Sequence, residues 1–296
     1  MTRSPDTVFH RSFEAPYGFD DVTERGSLKL TSLLRVTAPR HFDLWRSEIG
    51  GPDFFESTGL FIPIVALDLF VADDPIRMGA TLEIDITIRL GKQIDGEGQV
   101  RRLLSESVGE VYAAHARTGE RVLVARNLKC NAMSRNDPDP EKRRVRELPA
   151  SMNLGSVPER VLHFPGVAEL ATAPADHTEV ANFSDDHPHV WAYGQTDMNQ
   201  HVHAMEYVRM MELFTVDQLA ALGRSPRDYS IHRVRVAFRK PCFTGEQYLR
   251  AGSLHTAAGK DGASDVLCGT LHRFENGSRA DPPAVATQLF VGARAT

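Results

Sequence analysis

Apolar residues recur along this chain with two different periods, and the change from one period to the other occurs twice. From Val202 onward, Met205, Val208, Met211, Phe214 or Thr215, Leu219 and Leu222 return close to every 3.6 residues, which predicts one long buried helix. Gly223 and then Pro226 mark its end. Nearer the N-terminus, Leu28, Leu30, Leu33, Leu34 and Val36 open a similar helix. Pro39 lacks an amide hydrogen and predicts a break or kink there, after which Phe42, Leu44 and Trp45 carry the apolar content to Gly50-Gly51. Strand-like runs follow each helix: 60–71, 81–90, 100–114 and 121–132 after the first, then 230–238, 247–255, 265–274 and 284–291 after the second. Alternation is clearest in Leu82-Glu83-Ile84-Asp85-Ile86-Thr87-Ile88. An extended segment precedes each helix, so each half predicts an α+β unit: a strand, a long helix, and several antiparallel strands curved around it.

A local repeat supports the duplication. Residues 17–25, Tyr-Gly-Phe-Asp-Asp-Val-Thr-Glu-Arg, lie without gaps over 193–201, Tyr-Gly-Gln-Thr-Asp-Met-Asn-Gln-His, with Tyr, Gly and Asp coinciding. Aligned this way, Asp21 is retained opposite Asp197, while Thr23 and Arg25 stand where the second copy has Asn199 and His201. The expected boundaries are a first domain over 7–134, a linker over 135–185 that begins Arg-Asn-Asp-Pro-Asp-Pro, and a second domain over 186–296.

Composition narrows the class. At 296 residues the chain accommodates two domains with separate cores. No run approaches the roughly 18 apolar residues that span a bilayer, and the first residues lack the apolar core of a secretory signal, so the expected location is cytoplasmic. Three widely spaced cysteines, Cys130, Cys242 and Cys268, suggest neither a disulfide framework nor a zinc finger. A net charge of −5 gives no general attraction to nucleic acid or anionic membrane, although basic residues cluster at Lys142 to Arg146 and at Arg233, Arg235, Arg239 and Lys240.

The densest set of reactive side chains is Asp197-Met198-Asn199-Gln200-His201-Val202-His203, at the entry to the second helix. In an extended approach Asp197, Asn199 and His201 project to one side, placing a carboxylate, an amide and an imidazole around one space. The first helical turn offers unpaired N–H groups that could hold an oxyanion. Asp and Asn are also the commonest helix caps, so spacing alone leaves capping as an equal reading. The pairs His187/His189 and His201/His203 could bind a metal, but no third ligand has a recognisable spacing, and no metal or other cofactor is expected. No nucleophile elbow, phosphate loop or dinucleotide fingerprint is present.

The stretch Tyr193 to Glu212, with Thr196-Asp197-Met198-Asn199-Gln200-His201-Val202, Tyr207 and Glu212, resembles the signature of hotdog-fold thioesterases, most closely the tandem-hotdog fatty acyl-ACP thioesterases. The resemblance implies two tandem hotdog domains, with catalysis in the second by Asp197, Asn199 and His201 and acyl binding in the first. It leaves Asp197 as either nucleophile or base. Cys242 falls near the family's reactive cysteine, but Pro241 replaces the family's Glu and His203-Ala204 replaces the usual Asn pair, so a buried structural role competes with a catalytic one. His203, Tyr207, Phe54, Phe55 and Phe61 are the expected substrate contacts. The implied substrate is an acyl-ACP or acyl-CoA thioester, with carrier-protein docking at Arg143, Arg144 and Arg146 or at Arg233 and Arg235, and a homodimer as the expected assembly. The rival functions are a non-hydrolytic acyl-binding or transfer protein and a hotdog dehydratase.

Overall fold

The computed structural model describes residues 3–137, 139, 141–197, 200–257 and 265–293. The chain divides into two compact units, Met1–Phe164 and Pro165–Thr296. In the first, strand β1 (Val8–Pro16) leads to helix α1 (Leu30–Leu44), followed by β2 (Ile64–Val71), β3 (Thr81–Ile94), β4 (Val100–Ala114) and β5 (Arg121–Ala132). These strands are antiparallel neighbours in the order β1-β3-β4-β5-β2. The second unit has β6 (His177–Ser184), α2 (Ala204–Ala221), β7 (Tyr229–Phe238), β8 (Gln247–Ala257), β9 (Asp265–Glu275) and β10 (Val285–Ala293), in the order β6-β8-β9-β10-β7. One topology is therefore built twice, each time as a long helix wrapped by a curved antiparallel sheet.

The two-residue alternation places Leu82, Ile84, Ile86, Ile88 and Leu90 of β3 in the core, each no more than 1% exposed. On α1, Leu30, Leu33, Leu34, Val36 and Leu44 are buried in the same unit. The other face of this sheet is covered as well: Ala66, Leu104, Cys130 and Ala132 pack with Leu162, Val65 and Phe164. In the second unit the short helix Val167–Leu170 packs on Ala237 and Ala286.

Three sequence expectations change. Helix α1 runs unbroken through Pro39 and continues into a π-helical turn, Trp45–Ile49. Residues on both sides of Pro39, among them Val36, Thr37, His41 and Leu44, are buried, and this packing carries the helix across the missing hydrogen bond. The segment expected as a linker, 135–185, is largely structured. Val145 and Leu148 are buried, Arg160 and Leu162 bond to Lys92 in the first unit, and the end of the segment is strand β6, paired with β8. Helix α2 begins at Ala204, two residues beyond Val202. Its end is as expected: Gly223, at φ 71°, donates to the Ala220 carbonyl and Arg224 to the Leu219 carbonyl, the double bond of a Schellman cap.

Candidate active site

The segment entering α2 is folded into a closed loop. A 3-10 turn, Tyr193–Gln195, precedes it, and Thr196 pairs with Val202 across its base. The Asp197 N–H donates to the His201 carbonyl (2.9 Å), and the Gln200 N–H donates to the Asp197 carbonyl (2.9 Å). Gln200 takes a left-handed backbone, φ 64°, to complete the turn. The loop is anchored from two sides, by the His203 N–H on the Gln195 carbonyl (2.8 Å) and the Val202 N–H on the Cys242 carbonyl (2.9 Å). Asp197 and His201 thus sit at the two ends of one five-residue loop at the mouth of a helix, both half-buried. Met198 and Asn199 lie outside the described residues. The His201 ring lies edge-on to Phe243, 5.1 Å between centroids.

The first unit builds the same loop, and its geometry corrects the register of the repeat. Thr23 N–H donates to the Ser27 carbonyl (2.8 Å), Gly26 N–H to the Thr23 carbonyl (2.9 Å), and Lys29 N–H to the Asp21 carbonyl (2.8 Å); Val22 pairs with Leu28 and Gly26 has φ 84°. These bonds superpose Thr23 on Asp197, Gly26 on Gln200 and Ser27 on His201, two residues away from the ungapped alignment. Asp21 is consequently the counterpart of Gln195. Its carboxylate caps Gly18 (2.9 Å) and pairs with Arg35, as the Gln195 amide oxygen caps Ala192 (2.8 Å). At the positions of Asp197 and His201 the first unit has two hydroxyls, Thr23 Oγ1 and Ser27 Oγ, hydrogen-bonded to each other at 2.8 Å. The coincidence of Tyr, Gly and Asp hid this shift.

The remaining predicted residues are placed as follows. His203 is exposed and caps α2: its Nδ1 accepts from the Met205 N–H at 3.3 Å, and its carbonyl accepts from Glu206, so these first-turn donors are engaged. Tyr207 is buried, its hydroxyl oxygen accepting from the Cys242 N–H (3.0 Å) and its ring edge-on to Trp191 and Phe238. Cys242 is fully buried, and burial pushes its thiol pKa up against the opposing hydrogen bond from Tyr207. A thiolate nucleophile is disfavoured there, and Cys242 serves the site through its carbonyl. Phe54 and Phe55 sit on a short helix, Phe54–Thr58, and pack on Trp45 with centroids at 5.5 and 6.2 Å; Phe61 is 37% exposed. Arg144 and Arg146 both pair with Glu141, at 2.6 and 3.0 Å, and line a cleft of about 610 Å³ with Arg101. Arg235 bonds Gln288 (3.0 Å), and Arg233 lies over Phe290.

A buried ion pair went unread in the sequence. Arg250 grips Asp185 with Nε at 2.9 Å and Nη2 at 3.0 Å, its own N–H adds a third bond at 2.7 Å, and His189 Nε2 lies 3.1 Å from Nη2. Burial alone would raise the Asp185 pKa, but the bonds and charge of Arg250 outweigh it and hold the carboxyl below its usual range. The partners are 65 residues apart, so no local spacing could reveal them. His189, a candidate metal ligand by sequence, turns its ring toward this pair. Among the described residues no cluster of three or more His, Cys, Asp or Glu is arranged to hold a metal, and no helix is long and apolar enough to cross a membrane.

These two units, each a helix wrapped by a five-stranded antiparallel sheet, define the tandem hotdog fold. Solved structures with this arrangement over nearly the whole chain include one described as an oleoyl thioesterase from Lactobacillus plantarum (TM-score 0.65, 13% identity, 98% of both chains). Others are an acyl-ACP thioesterase from Bacteroides thetaiotaomicron (0.57, 12%, 95% and 97%) and a 12:0-ACP thioesterase from Umbellularia californica (0.58, 14%, 97% and 94%). No family model and no curated relative matches the sequence.

Proposed function

We propose that the protein hydrolyses an acyl thioester at the loop 197–201. One observation carries this reading: the same hydrogen-bonded loop is built twice, and only in the second unit do its two ends bear groups able to move a proton, Asp197 and His201. Helix capping does not account for them, because the cap of α2 is His203.

In the reaction, water adds to the thioester carbonyl, the C–S bond breaks, and the proton released by water ends on the thiolate. His201 carries that proton, and Asp197 drives the attack, either as the base acting on water or as the nucleophile through an acyl-enzyme anhydride. Asn199 orients the substrate or the water. The His203 cap and the Glu206 bond engage two donors of the first turn, so among the described residues the Ala204 N–H is the helix donor left for the oxyanion.

The solved structures of similar fold, two of them of acyl-ACP thioesterases, support an acyl thioester as the substrate; a fatty acyl chain on ACP or CoA, a place in lipid metabolism and a cytoplasmic location belong to the same proposal. An acidic carrier would meet the cleft at Arg101, Arg144 and Arg146. The test is thiol release from acyl-CoA and acyl-ACP thioesters of graded chain length. Release that Asp197→Ala abolishes supports the reading. Release unaffected by Asp197→Ala, binding without release, or formation of an enoyl thioester would overturn it.

A further inference from the structure

The interior of the first unit is polar where a hotdog core is expected to be apolar. Along the buried side of α1 and the π-helical turn that continues it lie Thr37, His41 and Trp45, each no more than 1% exposed. Beneath them, on alternating positions of β5, lie Asn127, Lys129 and Asn131, at 2–3% exposure; Asn127 Nδ2 donates to Thr37 Oγ1 at 2.9 Å, so this strand face meets the helix. On β4, Ser107 is the ladder partner of Lys129, and Ser105 that of Asn131. Within this patch six side-chain atoms have no hydrogen-bond partner: both ring nitrogens of His41, Trp45 Nε1, Ser105 Oγ, Asn127 Oδ1 and Asn131 Oδ1. Each such atom costs about 1–3 kcal/mol when left unpaired in a core. Among the described residues no carboxylate pairs with Lys129, whose ammonium lies 5.9 Å over the Phe42 ring. Burial pulls the Lys129 pKa down to about 7, and burial with the adjacent Lys129 charge depresses that of His41.

The second unit shows that the fold does not require this. Counted from the loop, the counterparts of Thr37, His41 and Trp45 are Met211, Thr215 and Leu219, and Thr215 satisfies its hydroxyl on the Met211 carbonyl (2.8 Å). A glycine beneath each helix aligns the strands, Gly109 opposite Asn127 and Gly269 opposite Thr287. The positions of Lys129, Asn131 and Ser107 are then held by Leu289, Val291 and Leu267. The first-unit patch thus brings indole, ammonium and hydroxyl donors together with two amide oxygens that lack hydrogen-bond partners.

We infer that this patch of the first unit is a binding site for the oxygen-bearing end, hydroxyl or carboxyl, of an organic acid, with Lys129 and Trp45 donating to it and Asn127 and Asn131 accepting from its hydroxyl.

Binding is measured apart from turnover, by calorimetry on the full chain carrying Asp197→Asn. The probes are hexanoate to dodecanoate, their ω-hydroxy and α,ω-dicarboxylate counterparts, and the CoA thioesters of the same acids. The expected result is binding of oxygenated probes at least tenfold tighter than that of plain chains of equal length, with the preference lost in Lys129→Met and reduced in Trp45→Phe, which keeps an aromatic ring and removes the indole donor. Preference among the free acids identifies a free ligand; preference confined to the thioesters identifies the acyl end of a substrate. Equal or tighter binding of plain chains, no binding of any probe, or a preference untouched by both substitutions overturns the inference. Because no hydrolysis is read, failure here leaves thiol release standing, and failure of thiol release leaves the binding result standing.

Discussion

In the first unit the loop before the helix ends in Thr23 and Ser27, two hydroxyls that satisfy each other, and the helix behind it covers a buried ladder of Ser, Asn and Lys. In the second the same loop ends in Asp197 and His201, and the helix covers Leu267, Leu289 and Val291. Strand order, loop hydrogen bonds and the left-handed residue are common to both. A duplicated scaffold can thus keep its backbone while reactive groups are moved from its interior to its loop, or the reverse. The backbone bonds fix where a side chain stands, and the side chain alone decides whether that place does chemistry.

The largest effect expected from breaking this contrast is catalytic. His201→Ala should lower kcat/KM for thioester hydrolysis by about a hundredfold to ten-thousandfold, the usual range for a positioned proton-transfer group, with thermal stability little changed. Next is the buried ion pair of the second unit. Arg250→Met should cost about 1–3 kcal/mol in denaturant unfolding, because it leaves the Asp185 carboxylate only the residue-250 backbone N–H and His189. Asp185 has a depressed pKa in the folded state, so its contribution is complete above the ordinary carboxylate range and is lost as pH falls through the depressed value. Asp185→Asn should therefore remove that acid-side loss of stability.

Lys129 in the first unit gives a pH slope of the same sign, but from a group whose burial destabilises the fold. Its pKa is near 7 when folded and near 10.5 when unfolded, so between these values the unfolded chain binds more protons and stability rises with pH. Lys129→Met should remove this slope and stabilise the protein at neutral pH by up to a few kcal/mol, read from urea midpoints across that window. The smallest effects lie in the loops themselves. Gly26→Ala should destabilise by about 1 kcal/mol through its left-handed backbone, since the added methyl meets only Pro75 at an ordinary 3.8 Å. Gln200→Gly should stabilise by a comparable or smaller amount, and paired thermal melts would show the two signs.

Most of the scaffold was legible in the sequence because its signals are local. Runs such as 100–114 and 121–132 coincide with β4 and β5, and Gly223 ends α2 as its position predicts. What escaped depends on distant partners. Strand β6, His-Thr-Glu-Val-Ala-Asn-Phe-Ser, is a polar sheet edge without an apolar face to announce it. Asn127, Lys129 and Asn131 alternate with Leu128, Cys130 and Ala132, and Ser105 and Ser107 flank Glu106, as in solvent-facing strands, and only the cover on both sides of the sheet makes them interior. Asp197 and His201 stood out by residue type. Their true counterparts, Thr23 and Ser27, emerged only from backbone bonds, since three coincident letters pointed two residues away.

The most direct test compares the two loops in one assay: thiol release from an accepted acyl thioester by Asp197→Asn and by Thr23→Val, each confirmed folded by its melting temperature. The account predicts a loss of at least a hundredfold for Asp197→Asn and a change of less than about twofold for Thr23→Val. Equal losses in both, or a loss confined to Thr23→Val, would contradict the assignment of the chemistry to the second unit.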